Sequence, residues 1–320
     1  INMIENITVA IATYNGERYI EKQLESIFNQ SKQVDRVVIC DDESTDNTIN
    51  IINRLINKGL PINLYKNQKK LGYGLNFMKC INLCNSNFIF LSDQDDIWFN
   101  NKVELMMSFI KKNPKNLCWM HDCVITNKNL DSLIPSKLEN IKKFGFNENS
   151  FVMGACMVIS KDTKKYIFPY PKDLSHFGHD DWISNVTRST GNLKIYKECL
   201  MFYRRHENIT SRKEFNSTEN NNQLLSRITR IKNSEKGKLR NHNLKLKQLR
   251  WSILIHKNYV NSGYKILKSF CINTHEIAIN ISNKNFFNRL FIVCRLFLRG
   301  YYKNRSGFFS LFIDLFFPNF

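Results

Sequence analysis

The chain has 320 residues and a formal net charge of +19, with 47 lysines and arginines against 28 aspartates and glutamates. Hydrophobic residues make up 42% of it, which excludes a disordered protein because disordered chains lack the apolar side chains that offset the entropy of ordering. The 12 glycines and 6 prolines are too few for a collagen-like or linker-type sequence.

The positive charge is concentrated in the last third of the sequence. Residues 1–210 carry a net charge of +4, whereas residues 211–320 carry +15. A segment this basic favours a polyanionic partner, either nucleic acid or an anionic membrane surface, and its ordinary alternative is a solvated helical face. We predict two domains, residues 1–215 and residues 216–320, the second of which is basic and mostly helical.

The first part of the chain alternates between strand and helix patterns. Short apolar runs predict strands, and apolar residues at helical spacing predict helices between them. The predicted strands are Ile7–Ala12, Arg36–Cys40, Ile62–Tyr65 and Phe88–Leu91. The predicted helices cover Glu17–Gln30, a segment capped by Ser44 or Thr45, and Leu71 to about Cys84. This alternation indicates βαβ units around a parallel sheet.

The pattern is looser after this point. Helices are predicted around Phe99–Lys112 and at His179–Thr190. Further strands are predicted at Leu117–Thr126, Ser150–Ser160 and Leu193–Tyr203.

Polar clusters follow three of the predicted strands, and in open α/β sheets ligands bind beyond the carboxyl ends of the strands. The clusters are Thr13–Gly16, Asp41 with Asp42, and Asp93–Asp96. Carboxylates this close repel one another unless a cation lies between them. Mg²⁺ or Mn²⁺ prefers such oxygen ligands and shares them with substrate phosphates. The alternative for each acidic cluster, including Asp95 or Asp96, is capping of the following helix.

Two later clusters carry titratable and basic side chains. An aspartate within His179–Trp182 can serve as a general base, with capping of a helix as the alternative. The segment Tyr203–Asn208 offers arginine and histidine to a diphosphate or a metal, with a basic surface turn as the alternative. The sequence has no P-loop, no dinucleotide glycine motif after its first strand and no hydrolase nucleophile elbow. The interpretation that remains for these clusters is a site for a metal and a diphosphate at the edge of a βαβ sheet.

These motifs resemble those of family 2 glycosyltransferases in their order and spacing. The motifs are Val9–Asn15, Cys40–Asp46, Leu91–Trp98, His179–Trp182 and Tyr203–His206. The resemblance covers roughly residues 5–210, and its particular flavour is similar to bacterial rhamnosyltransferase-like members that build surface polysaccharides. It implies the α/β GT-A fold, a Rossmann-like mixed sheet flanked by helices, and a metal-dependent transfer that inverts the sugar's configuration.

The resemblance also implies roles for individual residues. It assigns nucleotide-sugar binding to Thr13, Tyr14, Asn15, Glu17, Asp41, Asp42, Gly72, Asp93, Gln94, Asp96, Trp98 and Arg205. It assigns the Mg²⁺ or Mn²⁺ ion to Asp95 and His206. It assigns the base to Asp180, with Asp181 as the alternative because the doubled aspartate departs from the commoner aromatic residue at that place.

The implied substrates are a dTDP or UDP sugar, dTDP-rhamnose or a UDP-hexose, and a saccharide acceptor on a growing, lipid-linked bacterial polysaccharide. We therefore expect a cytoplasmic protein that is peripheral on the inner face of the cell membrane. A nucleic-acid-binding protein and a non-catalytic scaffold are the competing functions. We predict no nucleic-acid partner because no nucleic-acid-binding module is visible in the sequence. The intact Asp93, Asp95 and Asp180 argue against a scaffold.

The basic C-terminal region contains a segment with two faces. No apolar run reaches the roughly 20 residues that span a bilayer. On a helix over Phe286–Lys303, polar residues cover about a third of the circumference, and phenylalanines, leucines and Val293 fill the rest. The polar residues are Asn288, Arg289, Arg295, Arg299 and Lys303. This pattern predicts a helix that lies on anionic lipid, with a core-packing helix or a homodimer contact as the alternative.

Overall fold

The structure is a computed structural model. It describes residues 5–143, 148, 151–170, 178–189, 191–205 and 286–298. Residues 5–138 and 152–205 belong to one compact unit, and residues 139–143 and 286–298 belong to a second. The domain boundary predicted at residue 215 lies outside the described residues.

The described strands run in chain order through the first compact unit. They are β1 (Ile7–Thr13), β2 (Arg36–Asp41), β3 (Ile62–Lys66), β4 (Phe88–Ser92), β5 (Ile97–Trp98), β6 (Cys118–Thr126), β7 (Ser132–Ile134), β8 (Met157–Ser160) and β9 (Leu193–Arg204). The described helices are α1 (Ile20–Phe28), α2 (Thr48–Asn57), α3 (Tyr73–Leu83), α4 (Lys102–Lys112), α5 (Lys137–Lys143), α6 (Lys164–Ile167), α7 (His179–Ser189) and α8 (Phe286–Leu298). Short 3₁₀ turns lie at Gly154–Cys156 and Lys161–Thr163.

The strands form one mixed sheet in the order β3-β2-β1-β4-β8-β6-β9-β5, with β7 paired to β6. The first four strands of this order are parallel, as the βαβ pattern predicted, whereas β8 is antiparallel to both β4 and β6. The register places Thr13 beside Asp41 and Ile11 beside Ser92. The polar segments that follow β1, β2 and β4 therefore emerge at the same edge of the sheet.

The apolar runs form these elements because both faces of the central strands are covered. All five residues of β4 are buried, and six of the seven residues of β1 are buried. Helix α1 buries Ile20, Leu24 and Ile27 at helical spacing, and α3 packs against β1 and β2. A continuous apolar run without alternation is typical of a parallel strand between two layers.

Three local predictions differ from the structure. Helix α2 begins at Thr48, so neither Ser44 nor Thr45 caps it, and the Ser44 side chain donates to Asp41 instead. Helix α4 begins at Lys102, so neither Asp95 nor Asp96 caps it. Only the last part of the strand predicted over Ser150–Ser160 forms, as β8.

The Ser150–Ser160 difference has a steric cause. A 3₁₀ turn occupies Gly154–Cys156, where the chain passes directly over His179. A Cβ atom at Gly154 would lie 2.5 Å from the His179 Nε2 atom. Close tertiary approach of this kind carries no local sequence pattern except the glycine itself.

Candidate active site

The ends of β1 and β4 are joined through Tyr14 and Gln94. The Tyr14 backbone N–H donates to Gln94 Oε1, and Gln94 Nε2 donates to the Tyr14 carbonyl, both at 3.0 Å. Tyr14 is 42% exposed, and the Lys70 ammonium lies over its ring, 3.4 Å from the centroid. Tyr14 therefore presents a partly exposed aromatic ring stacked with a cation, at the edge where the sequence predicts the nucleotide.

Asp41, at the end of β2, is buried and satisfied by protein groups. Its Oδ2 atom accepts from the hydroxyls of Thr13 at 2.8 Å and Ser44 at 2.6 Å. Its Oδ1 atom accepts from the Ser44 backbone N–H at 2.9 Å. Thr13 and Asp41, both predicted to bind the nucleotide, are thus brought together as neighbours across the parallel strands.

Asp42 anchors the loop that leads into α3. Its Oδ1 atom accepts from the Leu71 N–H at 2.7 Å and from Asn67 Nδ2 at 2.8 Å, and its Oδ2 atom accepts from the Gly72 N–H at 2.8 Å. Gly72 has a φ of 82°, a conformation that glycine adopts without penalty. The carboxylate therefore fixes the backbone beside the predicted nucleotide pocket.

Asn15 and Glu17 tie the turn after β1 to the turn before α2. Asn15, with a φ of 47°, donates its backbone N–H to Ser44 Oγ, and its Oδ1 atom accepts from the Thr45 N–H, both at 2.9 Å. Glu17 Oε2 accepts from the Asn47 N–H at 2.8 Å. Their side chains hold the loops that line the site.

The acidic cluster after β4 gathers three carboxylates. One ligand atom from each of Asp93, Asp95 and Asp96 lies within 4.8 Å of the others. Burial, and next the charges of Asp95 and Asp180, raise the pKa of Asp93 to about 7. Burial, followed by the charges of the neighbouring aspartates, also raises the pKa of Asp96. Like charges held this close store repulsion that a bound cation removes.

The cluster fits a hard divalent cation. All three groups are oxygen donors, which Mg²⁺ and Mn²⁺ prefer. Within the described part of the chain, the buried Asp96 Oδ2 atom has no hydrogen-bond partner. The predicted ligand Asp95 belongs to this cluster, whereas the predicted ligand His206 lies outside the described residues.

Arg204, at the end of β9, fixes the acidic turn. Its backbone N–H donates to Asp96 Oδ1 at 3.1 Å, and its Nε donates to the Asp95 carbonyl at 2.8 Å. Its guanidinium also stacks over the Tyr19 ring at 4.8 Å. Arg205, the residue predicted to bind the donor, is half-buried and donates its backbone N–H to the Thr126 carbonyl. The tight strand pairing of β5 with β9 explains the placement of Arg204.

Trp98 lies in the interior beneath the acidic turn, with only 3% of its surface exposed. Its ring packs at 5.9 Å from the Phe90 ring and carries the buried Lys102 ammonium at 3.7 Å. Burial lowers the pKa of Lys102 to about 7, while the charges of Asp96 and Asp93 act in the opposite direction. A buried lysine therefore lies under the carboxylates, which the sequence pattern did not reveal.

Asp180 lies in the first turn of α7. Its Oδ1 atom accepts from the Asp181 N–H at 2.9 Å, and the Gly154 backbone N–H also donates to the carboxylate. Burial raises the pKa of Asp180, and these hydrogen bonds and the charge of Lys137 oppose the rise. Asp180 is close enough to Asp93 for its charge to raise the pKa of Asp93.

His179 is buried against Phe77 and Gly154. Its ring stacks on Phe77 at 3.8 Å, and neither ring nitrogen has a hydrogen-bond partner in the described part of the chain. Burial lowers the pKa of His179 to about 3, so the ring is neutral at physiological pH. His179 is therefore a packing residue, and Asp180 is the carboxylate that faces the acidic cluster.

The fold and the site define a class of protein. A mixed α/β sheet with flanking helices and an aspartate cluster at its strand ends matches the GT-A glycosyltransferases. Residues 8–168 match the family described as glycosyl transferase family 2, and the chain belongs to that family.

One curated relative has a named sugar-transfer activity. The chain is 33% identical over 210 residues to the dTDP-rhamnosyl transferase RfbG of Shigella flexneri, an alignment that covers 62% of this chain and 72% of the relative.

Solved structures share the fold at low sequence identity. The Staphylococcus aureus TarS fragment 1–349 in complex with UDP aligns with a TM-score of 0.57 at 14% identity, over 88% of this chain and 75% of that one. The mannosyltransferase PcManGT of Pyrobaculum calidifontis, in complex with GDP-Man and Mn²⁺, aligns with a TM-score of 0.51 at 13% identity, over 98% and 87%. At these identities the likeness concerns the fold alone.

Proposed function

We propose that this glycosyltransferase is a metal-dependent, inverting enzyme that moves a sugar from a dTDP or UDP donor to a hydroxyl of a lipid-linked bacterial surface polysaccharide. The observation that carries the proposal is the position of Asp180, a carboxylate outside the metal cluster yet close enough to act electrostatically on Asp93. A carboxylate base beside a cation site suits a single displacement at a sugar carbon.

The reaction follows from these positions. Asp180 takes the proton of the acceptor hydroxyl, whose oxygen attacks the anomeric carbon from the face opposite the diphosphate. The new carbon–oxygen bond forms as the bond to the β-phosphate oxygen breaks, and the diphosphate leaves with the electron pair. Configuration at the anomeric carbon is thereby inverted. A divalent cation held by Asp93, Asp95 and Asp96 supplies Lewis-acid stabilisation of the leaving diphosphate when bound.

Several described residues prepare the donor pocket. Tyr14 offers an exposed aromatic face, and Asp42 holds the Leu71–Gly72 backbone in place. We assign the nucleobase of the donor to this edge of the sheet. We assign the sugar of the donor to the region between Asp93 and Asp180. The rhamnosyl relative favours dTDP-rhamnose among the candidate donors, with UDP-hexoses as the alternative.

The exposed residues of α8 support the proposal of a lipid-linked acceptor. Its stripe of Phe287, Phe291 and Leu298 is 79%, 70% and 85% exposed. Among the described residues, no helix is long and apolar enough to cross a membrane. The stripe belongs to a segment of net charge +15, which attracts anionic lipid and repels a second copy of itself. We therefore propose that the protein lies at the inner membrane surface rather than in a homodimer.

A donor panel tests the proposal. Purified protein with Mg²⁺ or Mn²⁺ is offered dTDP-rhamnose, UDP-glucose, UDP-galactose and UDP-N-acetylglucosamine together with lipid extracts, and released nucleoside diphosphate is measured. We expect one donor to be turned over, with loss of turnover in EDTA and recovery on adding metal. NMR of the product establishes the anomeric configuration. A product that retains the donor's configuration contradicts the inverting mechanism, and full turnover in EDTA contradicts the metal requirement.

A further inference from the structure

Lys137 is the first residue of α5, and buried groups fix its position. Asp122, fully buried on β6, accepts the Leu138 backbone N–H at 3.0 Å and the Ser136 hydroxyl on its other oxygen. The residues on both sides of Lys137 are therefore bonded to the sheet. The lysine projects from a rigid part of the scaffold, which is the requirement for a group that must meet a ligand accurately.

The Lys137 ammonium lies beside both halves of the site. Its Nζ is 2.7 Å from Met153 Sδ, and Met153 directly precedes Gly154, whose N–H donates to Asp180. Its charge acts on Asp180 and also on Asp93 of the metal cluster. Lys137 is half-buried, so one side of it is open to solvent. The cation therefore lies near both the proposed base Asp180 and the aspartate cluster.

A second cation near the cluster shows why Lys137 is the one that can reach a ligand. Lys102 also acts on Asp93, but it is fully buried, with its Nζ 3.2 Å from the Ala155 carbonyl and 3.7 Å from the Trp98 ring centroid. Lys102 is thus enclosed by protein groups, whereas Lys137 keeps part of its surface in contact with solvent.

We propose that Lys137 binds the β-phosphate of the sugar donor and stabilises that phosphate as it leaves, an inference that rests on the proposed function. The diphosphate is the anionic part of a neutral-sugar donor, and a lysine ammonium binds phosphate as a point charge. When the bond to the sugar carbon breaks, its electron pair stays on the β-phosphate oxygen, which gains one negative charge. A cation at this place therefore binds the transition state more tightly than the bound donor.

The test compares Lys137→Gln with Lys142→Gln. Lys142 lies on the same helix, and its ammonium pairs at 2.8 Å with the exposed Glu139, so the second variant removes the same charge from outside the site. Affinities for dTDP, UDP and the corresponding nucleoside monophosphates are measured by calorimetry with Mg²⁺ at fixed pH. We expect Lys137→Gln to weaken diphosphate binding by about 10-fold or more and to leave monophosphate binding unchanged. Lys142→Gln should match the wild type, and Lys137→Arg should recover part of the affinity because it keeps the charge.

Other results would overturn the inference. Equal diphosphate affinity in the wild type and Lys137→Gln means that the lysine does not meet the β-phosphate. An equal loss of diphosphate and monophosphate affinity means that the variant loosens the site in general. If the wild-type protein binds no nucleoside diphosphate, both the proposed function and this inference are overturned. If the wild type binds it, the affinities of the Lys137 variants test this inference alone.

Discussion

Tyr14 and Gln94 exchange two hydrogen bonds, each 3.0 Å long, between a backbone and a side-chain amide. Gln94 belongs to the acidic turn that gathers the predicted metal ligands, and Tyr14 belongs to the loop after β1. The pair therefore fixes the predicted metal site relative to the predicted nucleotide pocket. Gly16 leaves room for it, because a Cβ atom at Gly16 would lie 2.3 Å from Gln94 Oε1.

Gly16→Ala should consequently act like the loss of Gln94. The added methyl group displaces the flexible end of the Gln94 side chain. Both hydrogen bonds to Tyr14 are then broken although Gln94 itself is still present. We expect donor affinity to fall by about 5- to 10-fold in Gly16→Ala and in Gln94→Ala, from two hydrogen bonds of about 0.5–1.5 kcal/mol each. The double variant should lose no more than either single one, as calorimetric titration with UDP or dTDP can establish.

Gly59→Ala is the matched control for backbone strain. Gly59 has a φ of 89° with no atom near its added Cβ, and it precedes β3, at the end of the strand away from the site. The Gly59→Ala variant should have a lower free energy of unfolding than the wild type and an unchanged affinity for the donor. Additive losses in the Gly16 and Gln94 double variant would show that the glycine acts separately.

The Asp42 carboxylate should govern the order of the loop before α3. In Asp42→Asn, an amide nitrogen replaces one acceptor, so either the Leu71 N–H or the Gly72 N–H faces a donor. We expect a cost of about 1.5–3 kcal/mol for the lost charged hydrogen bond, and a higher KM for the donor. Hydrogen exchange at the Leu71 and Gly72 amides measures the loop directly. Asp162→Asn, which removes an exposed pairing with Lys165, is the control, and unchanged exchange in Asp42→Asn would contradict the anchoring role.

The sequence was sufficient to predict that the polar segments after β1, β2 and β4 meet at one edge of the sheet. Buried apolar runs alternate with amphipathic helices, and parallel strands must bring their carboxyl ends to one edge, so Thr13, Asp41 and the Asp93–Asp96 turn had to meet. The mixed sheet and the GT-A class agree with the resemblance of the motifs.

Sequence did not reveal how the polar atoms are used. Asp41, Asp42 and Glu17 accept hydrogen bonds from Thr13, Leu71 and Asn47 respectively, so each pairing depends on the distance between segments 28 to 30 residues apart. Lys137, which we propose binds the donor, comes from a segment without any motif, and its neighbour Leu138 is bonded to Asp122 on β6. Such contacts follow from the three-dimensional register, which local patterns do not encode.

Asp180 should control the acid side of the pH profile. Burial raises its pKa, and a base works only when ionised, so kcat/KM should fall as the pH drops through a pKa above the ordinary aspartate range of about 3.9. Asp180→Asn should lower kcat by about 10²–10⁴-fold with nearly unchanged donor affinity, and should remove this acid limb. If Asp181→Asn proves to be the inactive variant and Asp180→Asn retains turnover, the base is Asp181.

Lys102 should make stability depend on alkaline pH. Burial lowers its pKa to about 7 from an ordinary 10.5, so between these values the unfolded chain binds a proton that the folded protein has released. The free energy of unfolding therefore rises with pH in this window, by up to about 1.4 kcal/mol per pH unit. Lys102→Met keeps an apolar stem and should flatten this slope in urea titrations between pH 7.5 and 9.5. The exposed Lys165→Met should keep the wild-type slope, and an unchanged slope in Lys102→Met would show that the lysine stays charged when folded.

The exposed stripe of α8 should decide membrane binding. Phe287 and Phe291 lie one helical turn apart and are 79% and 70% exposed, so inserting both into an interface removes two aromatic side chains from water. Phe287→Ser with Phe291→Ser should lower the fraction that floats with anionic vesicles by about 10-fold or more, and 1 M salt should weaken wild-type flotation by screening the basic segment. Leu133→Ser, at a residue 53% exposed in the other compact unit, is the control for general loss of surface hydrophobicity. Undiminished flotation of the double variant would contradict membrane docking, and a wild-type dimer that the double variant dissociates would assign the stripe to a second copy of the chain.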